Sequence, residues 1–312
     1  MVKNTNLHKA KNAKNDEFYT QLTDVAKELM HYKKHFKDKI VLCNCDDPTW
    51  SAFWKYFHLN FAELGLKKLI STHYDREEAT YKMEYTGGDD NDIEAGIKTP
   101  LEGNGDFRNQ ECLDLLDECD IVVTNPPFSL FREYVAVLME HEKKFLIIGN
   151  KNAITYKEFF PLLKDDEVWI GCTNVKEFLQ PDGSIKKFGN IGWFTNLDVA
   201  KRHEKLILWK KYTPEEYPTY DNYDAINVDK VSKIPCNYDG VMGVPITFLD
   251  SYCPEQFEII WQASGNTRAC CPHTILYDEL QYIQHSEDRG GCGVVNGKRV
   301  YSRILIRKKV GA

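Results

Sequence analysis

The chain has 312 residues, of which 42% are hydrophobic and 28% are charged, so it can fold as one large domain with a smaller lobe. No apolar run approaches the roughly 20 residues that cross a bilayer. The N-terminal charges are not followed by an apolar stretch, so we expect a cytoplasmic protein with no membrane partner. The net charge of −7 argues only weakly against a nucleic-acid partner, because lysines and arginines are concentrated near both ends.

Apolar strands and helical segments alternate through the first half of the chain. This alternation is typical of an α/β protein with a mainly parallel sheet and helices on both faces. The predicted elements, in chain order, are helix 24–32, strand 39–44, helix 51–64 ended by Gly65, strand 69–72, a loop or β-hairpin insertion over 76–105, helix 113–116, strand 120–124, helix 131–141 and strand 145–149.

The pattern is less regular after about residue 165. Short strands are predicted at 167–171 and 192–196, and a stretch rich in Tyr, Asn and Pro follows over 212–237. We therefore divide the chain into a core over 1–165 and a second region over 166–312. The second region completes the sheet and adds a smaller lobe.

Polar residues directly follow three of the predicted strands. They are Asn44–Asp47 after the first strand, Asp75 after the second and Asn125–Phe128 after the third. In open α/β sheets, ligands bind outside the carboxyl ends of the strands. The sequence therefore predicts a ligand site along this rim.

The segment Asn125-Pro126-Pro127-Phe128 has the chemistry of a loop that holds an amine. Its two prolines fix the backbone and remove two N–H donors, so carbonyl groups are presented rigidly. The side-chain oxygen of Asn125 and the carbonyl of Pro126 can accept both hydrogens of an adenine amino group, which localises the nitrogen lone pair for attack on a methyl group. Phe128 offers a flat face to a base that has left the duplex. The alternative is a strand-ending turn with the same residues by chance.

Several blocks of the sequence resemble the EcoRI-type adenine-specific DNA methyltransferases. The similarity extends from near the N-terminus almost to the C-terminus, and the longer blocks are more specific than the Asn-Pro-Pro-Phe segment alone. The similar blocks are 16–20, 43–48, 124–131, 195–198, 220–228, 240–249 and 303–306.

The resemblance implies a Rossmann-like class I methyltransferase fold with S-adenosylmethionine as cofactor. Methyltransferases of this fold generally have a glycine-rich first loop, whereas 43–50 contains no glycine. The core over 1–165 is then the cofactor-binding and catalytic part. The resemblance implies that Phe18, Tyr19 and Thr20 hold the methionine end of the cofactor. Asn44, Asp46 and Asp47 belong to the first loop, where the two aspartates would lie near the ammonium group. Asp75 would bind the ribose, and Asp106 and Phe107 would bind the adenine.

The resemblance also implies that the chain methylates N6 of a flipped adenine in double-stranded DNA, within a restriction–modification system. It suggests GAATTC as the target, and we expect a monomer that forms no stable complex with its cognate endonuclease. The second region, 166–312, is then the target-recognition part. The residues predicted to bind DNA are Lys14, Tyr220, Asn222, Tyr223, Arg303 and Arg307.

Other interpretations of the DNA-binding residues stay open. The lysines near the N-terminus are equally compatible with a solvated tail. Tyr220, Asn222 and Tyr223 suit a domain junction slightly better than a DNA surface. Arg303–Arg307 is an apolar run flanked by two arginines, which predicts a strand with a positive edge that contacts phosphates. The basic segment Lys201–Lys211 is a further candidate.

Two alternative functions also remain at this stage. One is an amino-methyltransferase that acts on RNA or protein, and the other is a DNA-binding relative with weak or lost catalysis. A metal site is a third possibility, because Cys270, Cys271, His273, His285 and Cys292 are close in sequence. Their spacing matches no zinc pattern, so we expect free thiols and no metal.

Overall fold

The computed structural model describes residues 19–45, 47–74, 79–179 and 184–311. Within these ranges the strands are β1 (Tyr19–Thr20), β2 (Ile40–Cys43), β3 (Lys68–His73), β4 (Tyr81–Tyr85), β5 (Ile97–Pro100), β6 (Ile121–Thr124), β7 (Lys144–Asn150), β8 (Trp169–Leu179), β9 (Ile185–Thr195), β10 (Ile226–Asn227), β11 (Met242–Pro245), β12 (Phe257–Ala263), β13 (Val294–Val295), β14 (Lys298–Arg299) and β15 (Arg303–Lys308). The α-helices are α1 (Leu22–Leu29), α2 (Ala52–Leu59), α3 (Phe61–Leu64), α4 (Gln110–Glu118), α5 (Phe131–Glu140), α6 (Phe160–Lys164) and α7 (Thr267–Cys270).

The described residues fall into two compact units. Unit 1 comprises the described residues up to Lys151 together with Ile170–Asp198, and unit 2 comprises Asn152–Trp169 together with the described residues from Val199 onward. The two units therefore differ from the predicted division of the chain after residue 165. The segment that returns to unit 2 contains α6, where Phe160 packs edge-on against Trp261 of β12 at a ring distance of 5.2 Å.

Unit 1 is built on a nine-stranded mixed sheet with the order β1-β8-β9-β7-β6-β2-β3-β4-β5. The four central strands are parallel, because β2 pairs in parallel with β3 and β6, and β6 pairs in parallel with β7. The pairs β3–β4, β4–β5, β7–β9 and β1–β8 are antiparallel. The predicted α/β class with a parallel sheet is confirmed for these central strands, and antiparallel strands extend the sheet on both sides.

The order of the central strands creates a switch point. From β2 the chain moves outward to β3 and later returns to β6 on the other side of β2. Both β2 and β6 are fully buried, which matches their continuous apolar sequences. Because Leu42 is level with Val122, the loops that leave β2 and β6 lie side by side at the carboxyl edge.

The helices of unit 1 follow the sequence pattern with one break. The side chain of Ser51 caps α2 by accepting hydrogen bonds from the backbone N–H groups of Phe53 and Trp54, both at 3.1 Å. Instead of the single predicted helix over 51–64, α2 ends at Leu59 and α3 begins at Phe61. Gly65 ends α3 in a left-handed conformation with φ of 64°, as its position in the sequence indicates.

Strands β8 and β9 are longer than predicted. Each has eleven residues, whereas the sequence indicated strands over 167–171 and 192–196. In β9 only Ile191–Thr195 pairs with β7, and residues 185–190 continue past the carboxyl end of β7. This outer part carries polar and charged residues, so its hydrophobic pattern does not indicate a strand. The polar insertion after β3 likewise forms ordered strands, β4 and β5, as one of the two predicted outcomes.

Unit 2 contains a four-stranded sheet with the order β10-β11-β15-β12. The strand predicted over Arg303–Arg307 is present as β15, but it lies between β11 and β12 rather than at an edge. The prediction of a positive strand edge is therefore wrong. Among the described residues, no helix is both long enough and apolar enough to cross a membrane.

Candidate active site

The Asn-Pro-Pro-Phe segment is held between a buried strand and a helix. Strand β6 runs directly into Asn125, whose side-chain oxygen Oδ1 is shielded from solvent. Pro126 is buried, and Pro127 accepts a hydrogen bond from the backbone N–H of Leu130 at 2.9 Å. One 3₁₀ turn, Phe128–Leu130, then leads into α5. Both ends of this loop are therefore fixed by regular structure at the carboxyl edge of the sheet.

Phe128 connects this loop to the N-terminal strand. Its ring lies edge-on to Phe178 of β8, with ring centroids 6.2 Å apart. Phe178 is the residue of β8 that pairs with Thr20 of β1. Thr20 is buried, and its hydroxyl forms no hydrogen bond with any described residue. Residues that are between 50 and 158 positions apart in the sequence are thus brought to one place by a strand pairing that the sequence pattern did not indicate.

Tyr134 of α5 joins two further segments of the site. Its buried hydroxyl donates a hydrogen bond to Oδ1 of Asn44, which follows β2. Its ring lies edge-on to Phe107 at 5.0 Å. The backbone carbonyl of Asn44 also accepts a hydrogen bond from the hydroxyl of Thr72 in β3, at 2.9 Å. Tyr134 therefore aligns the loop after β2, the segment around Phe107 and the helix that follows the Asn-Pro-Pro-Phe loop.

Sequence reasoning missed Tyr134. The signal was a tyrosine on the apolar side of a helix directly after the predicted ligand loop, since a buried tyrosine hydroxyl usually has a hydrogen-bond partner.

The carboxylate of Asp47 stabilises the glycine-free loop after β2 through hydrogen bonds. Its Oδ1 accepts hydrogen bonds from the Tyr81 hydroxyl at 2.9 Å and from the N–H and hydroxyl of Thr49 at 2.9 and 2.7 Å. Its Oδ2 lies 3.1 Å from Nδ1 of His73. Burial, together with the hydrogen bond to Asp47, raises the pKa of Tyr81, so its hydroxyl stays a donor. These contacts favour a structural role for Asp47, and its predicted contact with a cofactor ammonium group stays a prediction.

The segment Gly105-Asp106-Phe107 lies against the carboxyl end of β3. Gly105 has φ of 74°, and a side chain there would come within 2.5 Å of the His73 carbonyl oxygen. Only glycine allows this approach. The Asp106 carboxylate accepts hydrogen bonds from the Arg108 guanidinium at 2.9 and 2.6 Å, and Phe107 is buried. The segment predicted to bind the adenine of the cofactor is thus beside the same rim, and Arg108 is a neighbour that the sequence did not reveal.

Several predicted site residues lie outside the part of the chain that the structure describes. They are Lys14, Phe18, Asp46 and Asp75. The backbone of Tyr19 belongs to β1.

The aromatic and amide residues predicted to bind DNA are in the interior of unit 2. Tyr220 donates to Oδ1 of Asn227 at 2.9 Å, and Asn222 donates to the carbonyl of Cys292 at 2.9 Å. Tyr223 donates to the carbonyl of Gly291. All three predicted side chains are buried. We correct this part of the prediction, because side chains buried in a hydrogen-bonded core do not reach base edges.

The two predicted arginines of β15 also have partners within unit 2. Arg307 forms ion pairs with Glu279 at 2.8 Å and Glu258 at 3.7 Å. Arg303 donates to the carbonyl of Tyr301 at 3.3 Å. Because two carboxylates already balance its charge, Arg307 is a poor candidate for a phosphate contact. Among the described residues, the His, Cys, Asp and Glu side chains form no cluster that could hold a metal ion, and the cysteines from 270 to 292 are free thiols.

Comparison with known proteins decides the family. The model of the family described as adenine-specific methyltransferase EcoRI matches residues 6–309. The chain belongs to this family. The methyltransferase is 44% identical to the type II methyltransferase M.EcoRI of Escherichia coli, over 97% of this chain and 96% of the relative. The predicted resemblance is therefore confirmed.

Two mycoplasma proteins are also similar to the methyltransferase. It is 38% identical to the type II methyltransferase M.MpnI of Mycoplasma pneumoniae, over 97% of this chain and 98% of the relative. It is 36% identical to the type II methyltransferase M.MgeORF184P of Mycoplasma genitalium, over the same shares of the two chains. No solved structure matches the methyltransferase.

Proposed function

We propose that this adenine methyltransferase transfers a methyl group from S-adenosylmethionine to N6 of an adenine flipped out of double-stranded DNA. The observation that carries the proposal is the position of Asn125–Phe128 at the switch point of the sheet, beside Asn44 and the segment 105–107. A ligand site at this point is typical of doubly wound α/β folds. The Rossmann-like class I fold is the finer assignment that this topology supports.

The residues of the rim fit a nucleoside cofactor with an amino-acid end. The buried Thr20 hydroxyl, which has no hydrogen-bond partner among the described residues, is available to a polar ligand group. Asn44, which Tyr134 orients, and Phe107 would flank the cofactor at the ends of β2 and β3. The bound cofactor supplies an electrophilic methyl carbon on a sulfonium centre.

The Asn-Pro-Pro-Phe loop has the groups that the amine requires. Oδ1 of Asn125 and the carbonyl of Pro126 would accept the two N–H bonds of adenine N6, which leaves the nitrogen lone pair directed at the methyl carbon. No side-chain nucleophile is needed. Phe128, held by its contact with Phe178, would stack on the flipped base, a contact worth about 1–3 kcal/mol.

The test of the proposal is transfer of a labelled methyl group in vitro. Labelled S-adenosylmethionine is incubated with duplex DNA, RNA or total protein, and the DNA product is digested to nucleosides. Label in N6-methyladenine from duplex DNA is the expected result. Label in RNA or protein alone would refute the proposed substrate. Sequencing of methylated plasmid DNA then gives the target site, for which GAATTC is our proposal.

A place in a restriction–modification system is also part of the proposal. The relatives from Escherichia coli and Mycoplasma carry the name type II methyltransferase, which supports it. Methylation at the proposed site would then protect host DNA from a cognate endonuclease. We propose that the methyltransferase acts as a monomer, without a stable complex with that endonuclease.

Tyr134→Phe tests the positioning role of the tyrosine hydroxyl. The variant keeps the ring that packs on Phe107 but loses the hydrogen bond to Asn44. We expect the affinity for S-adenosylmethionine to fall roughly five-fold, as the loss of about 1 kcal/mol predicts. Isothermal titration calorimetry measures this change. Tyr301→Phe, at an exposed position in unit 2, is the control and should leave the affinity unchanged.

A further inference from the structure

The segment from Lys205 to Lys211 is an extended strap that is fixed at both ends. Leu206 donates its backbone N–H to Oε1 of the buried Gln256 at 2.7 Å and accepts from Nε2 of the same side chain at 2.8 Å. At the other end, the carbonyl of Lys210 accepts the backbone N–H of Cys236 at 2.8 Å. The conformation of this segment is therefore held by hydrogen bonds within unit 2.

The side chains of the strap alternate between the protein and solvent. Lys205, Ile207, Trp209 and Lys211 are exposed, whereas the three residues between them are partly buried. This alternation is that of a β-strand, in which successive side chains point to opposite sides. We call the four outward residues the exposed strip. Ile207 is 91% exposed and Trp209 is 66% exposed, so a rigid backbone presents two large apolar side chains to solvent.

The charges of the exposed strip are also uncompensated. Neither Lys205 nor Lys211 forms an ion pair with a described residue, and Lys210 lies over the ring of Trp209 at 4.7 Å from its centre. The neighbouring Arg202, in contrast, is committed to Asp166 and to the ring of Trp169. Two free ammonium groups therefore bracket the apolar pair, about 20 Å apart along an extended chain.

We propose that the exposed strip is a DNA-contact element of unit 2. Lys205 and Lys211 contact backbone phosphates, and Trp209 with Ile207 packs against sugars and bases in the groove between them. The proposal rests on duplex DNA being the substrate.

The chemistry of the strip favours DNA over a protein partner. Lysine is depleted at protein–protein interfaces, whereas apolar side chains flanked by cations are typical of proteins that press a wedge into the minor groove. An exposed apolar pair on a fixed backbone marks an interaction surface. The exposed strip lies within the basic segment Lys201–Lys211, which the sequence indicated as a candidate DNA-binding segment. In the structure, only some residues of this segment point outward, whereas others, such as Arg202, have partners within unit 2.

Separate variants test the apolar and the cationic parts of the strip. Binding of a fluorescein-labelled duplex of mixed sequence is followed by anisotropy at several salt concentrations. Trp209→Ala should weaken binding roughly ten-fold with an unchanged salt dependence, because it removes stacking and no charge. The double variant Lys205→Gln/Lys211→Gln should lower the slope of log K against log salt by about 1.8, since each phosphate contact contributes about 0.9.

Matched controls come from the same unit. Tyr301→Ala removes an aromatic side chain that is 89% exposed, and Lys230→Gln/Lys233→Gln removes two exposed charges. Both controls should bind DNA as the wild type does. Urea unfolding confirms that each variant is folded.

Two results would overturn the proposal. The first is unchanged affinity and salt dependence in both strip variants. The second is a wild-type dimer that Trp209→Ala dissociates while DNA binding is retained, which would identify the strip as a contact between copies of the chain. Methylation of DNA by the wild type is measured in parallel, so a failure of the proposed function is distinguished from a failure of the strip.

Discussion

Asn125→Ala is expected to lower the rate of methyl transfer by roughly 100- to 1,000-fold, because it removes one of two preorganised groups that act on the reacting amine. The rest of the loop should keep its conformation, since Pro126 is buried and the turn after Pro127 does not involve the Asn125 side chain. We therefore expect the affinity for S-adenosylmethionine to stay within a few-fold of wild type. Single-turnover assays with labelled cofactor give the rate, and calorimetry gives the affinity.

Two further variants sharpen this test. Asn125→Asp keeps an acceptor oxygen at the same position, so its rate should lie between those of Asn125→Ala and the wild type. Asn91→Ala, at an exposed position between β4 and β5, should behave as wild type. If Asn125→Ala methylates DNA at a rate near that of the wild type, the role proposed for the side-chain oxygen is incorrect.

Glu28→Ala is expected to lower the free energy of unfolding by about 3–5 kcal/mol, because several donors lose their acceptor in a buried place. The carboxylate of Glu28 is fully buried in α1. It accepts the backbone N–H groups of Cys172 and Thr173 at 2.6 Å, the Thr173 hydroxyl at 2.6 Å and the Tyr32 hydroxyl at 3.0 Å. These bonds attach α1 to β8, the strand that carries Phe178. Urea denaturation measures the loss.

Glu28→Gln separates the charge of this group from its shape. An amide keeps the size of the carboxylate but turns a donor towards another donor, so its stability should lie between those of Glu28→Ala and the wild type. Glu140→Ala, at the exposed end of α5, is the control and should leave the unfolding midpoint unchanged. A Glu28→Ala variant as stable as the wild type would show that the donors find other partners.

The central strands could be predicted from the sequence because they are continuous apolar runs. β2, β6 and β7 have the predicted positions within one or two residues, and the position of the Asn-Pro-Pro-Phe loop after β6 followed from them. The lengths of β8 and β9 could not be predicted. Residues 185–190 of β9 lie beyond the end of β7, and the outer part of β8 has only isolated buried residues such as Val175 and Phe178, so neither stretch has a continuous or alternating apolar pattern.

The contacts between segments of the site were also beyond the sequence. The hydrogen bond from Tyr134 to Asn44 and the contact between Phe128 and Phe178 depend on the three-dimensional arrangement of distant elements. The DNA-binding residues predicted in unit 2 were wrong because tyrosine and asparagine suit both a DNA surface and a hydrogen-bonded interior. Tyr220 and Asn222 belong to the interior.

The central place of β15 has a consequence for biosynthesis. All strands of the nine-stranded sheet have left the ribosome once residue 195 has emerged, whereas β11 and β12 gain their common neighbour only with residues 303–308. The nine-stranded sheet can therefore assemble while the rest of the chain is still being translated. The second sheet is complete only after β15 has emerged. Until then, the edges of β11 and β12 that pair with β15 are exposed and prone to aggregation.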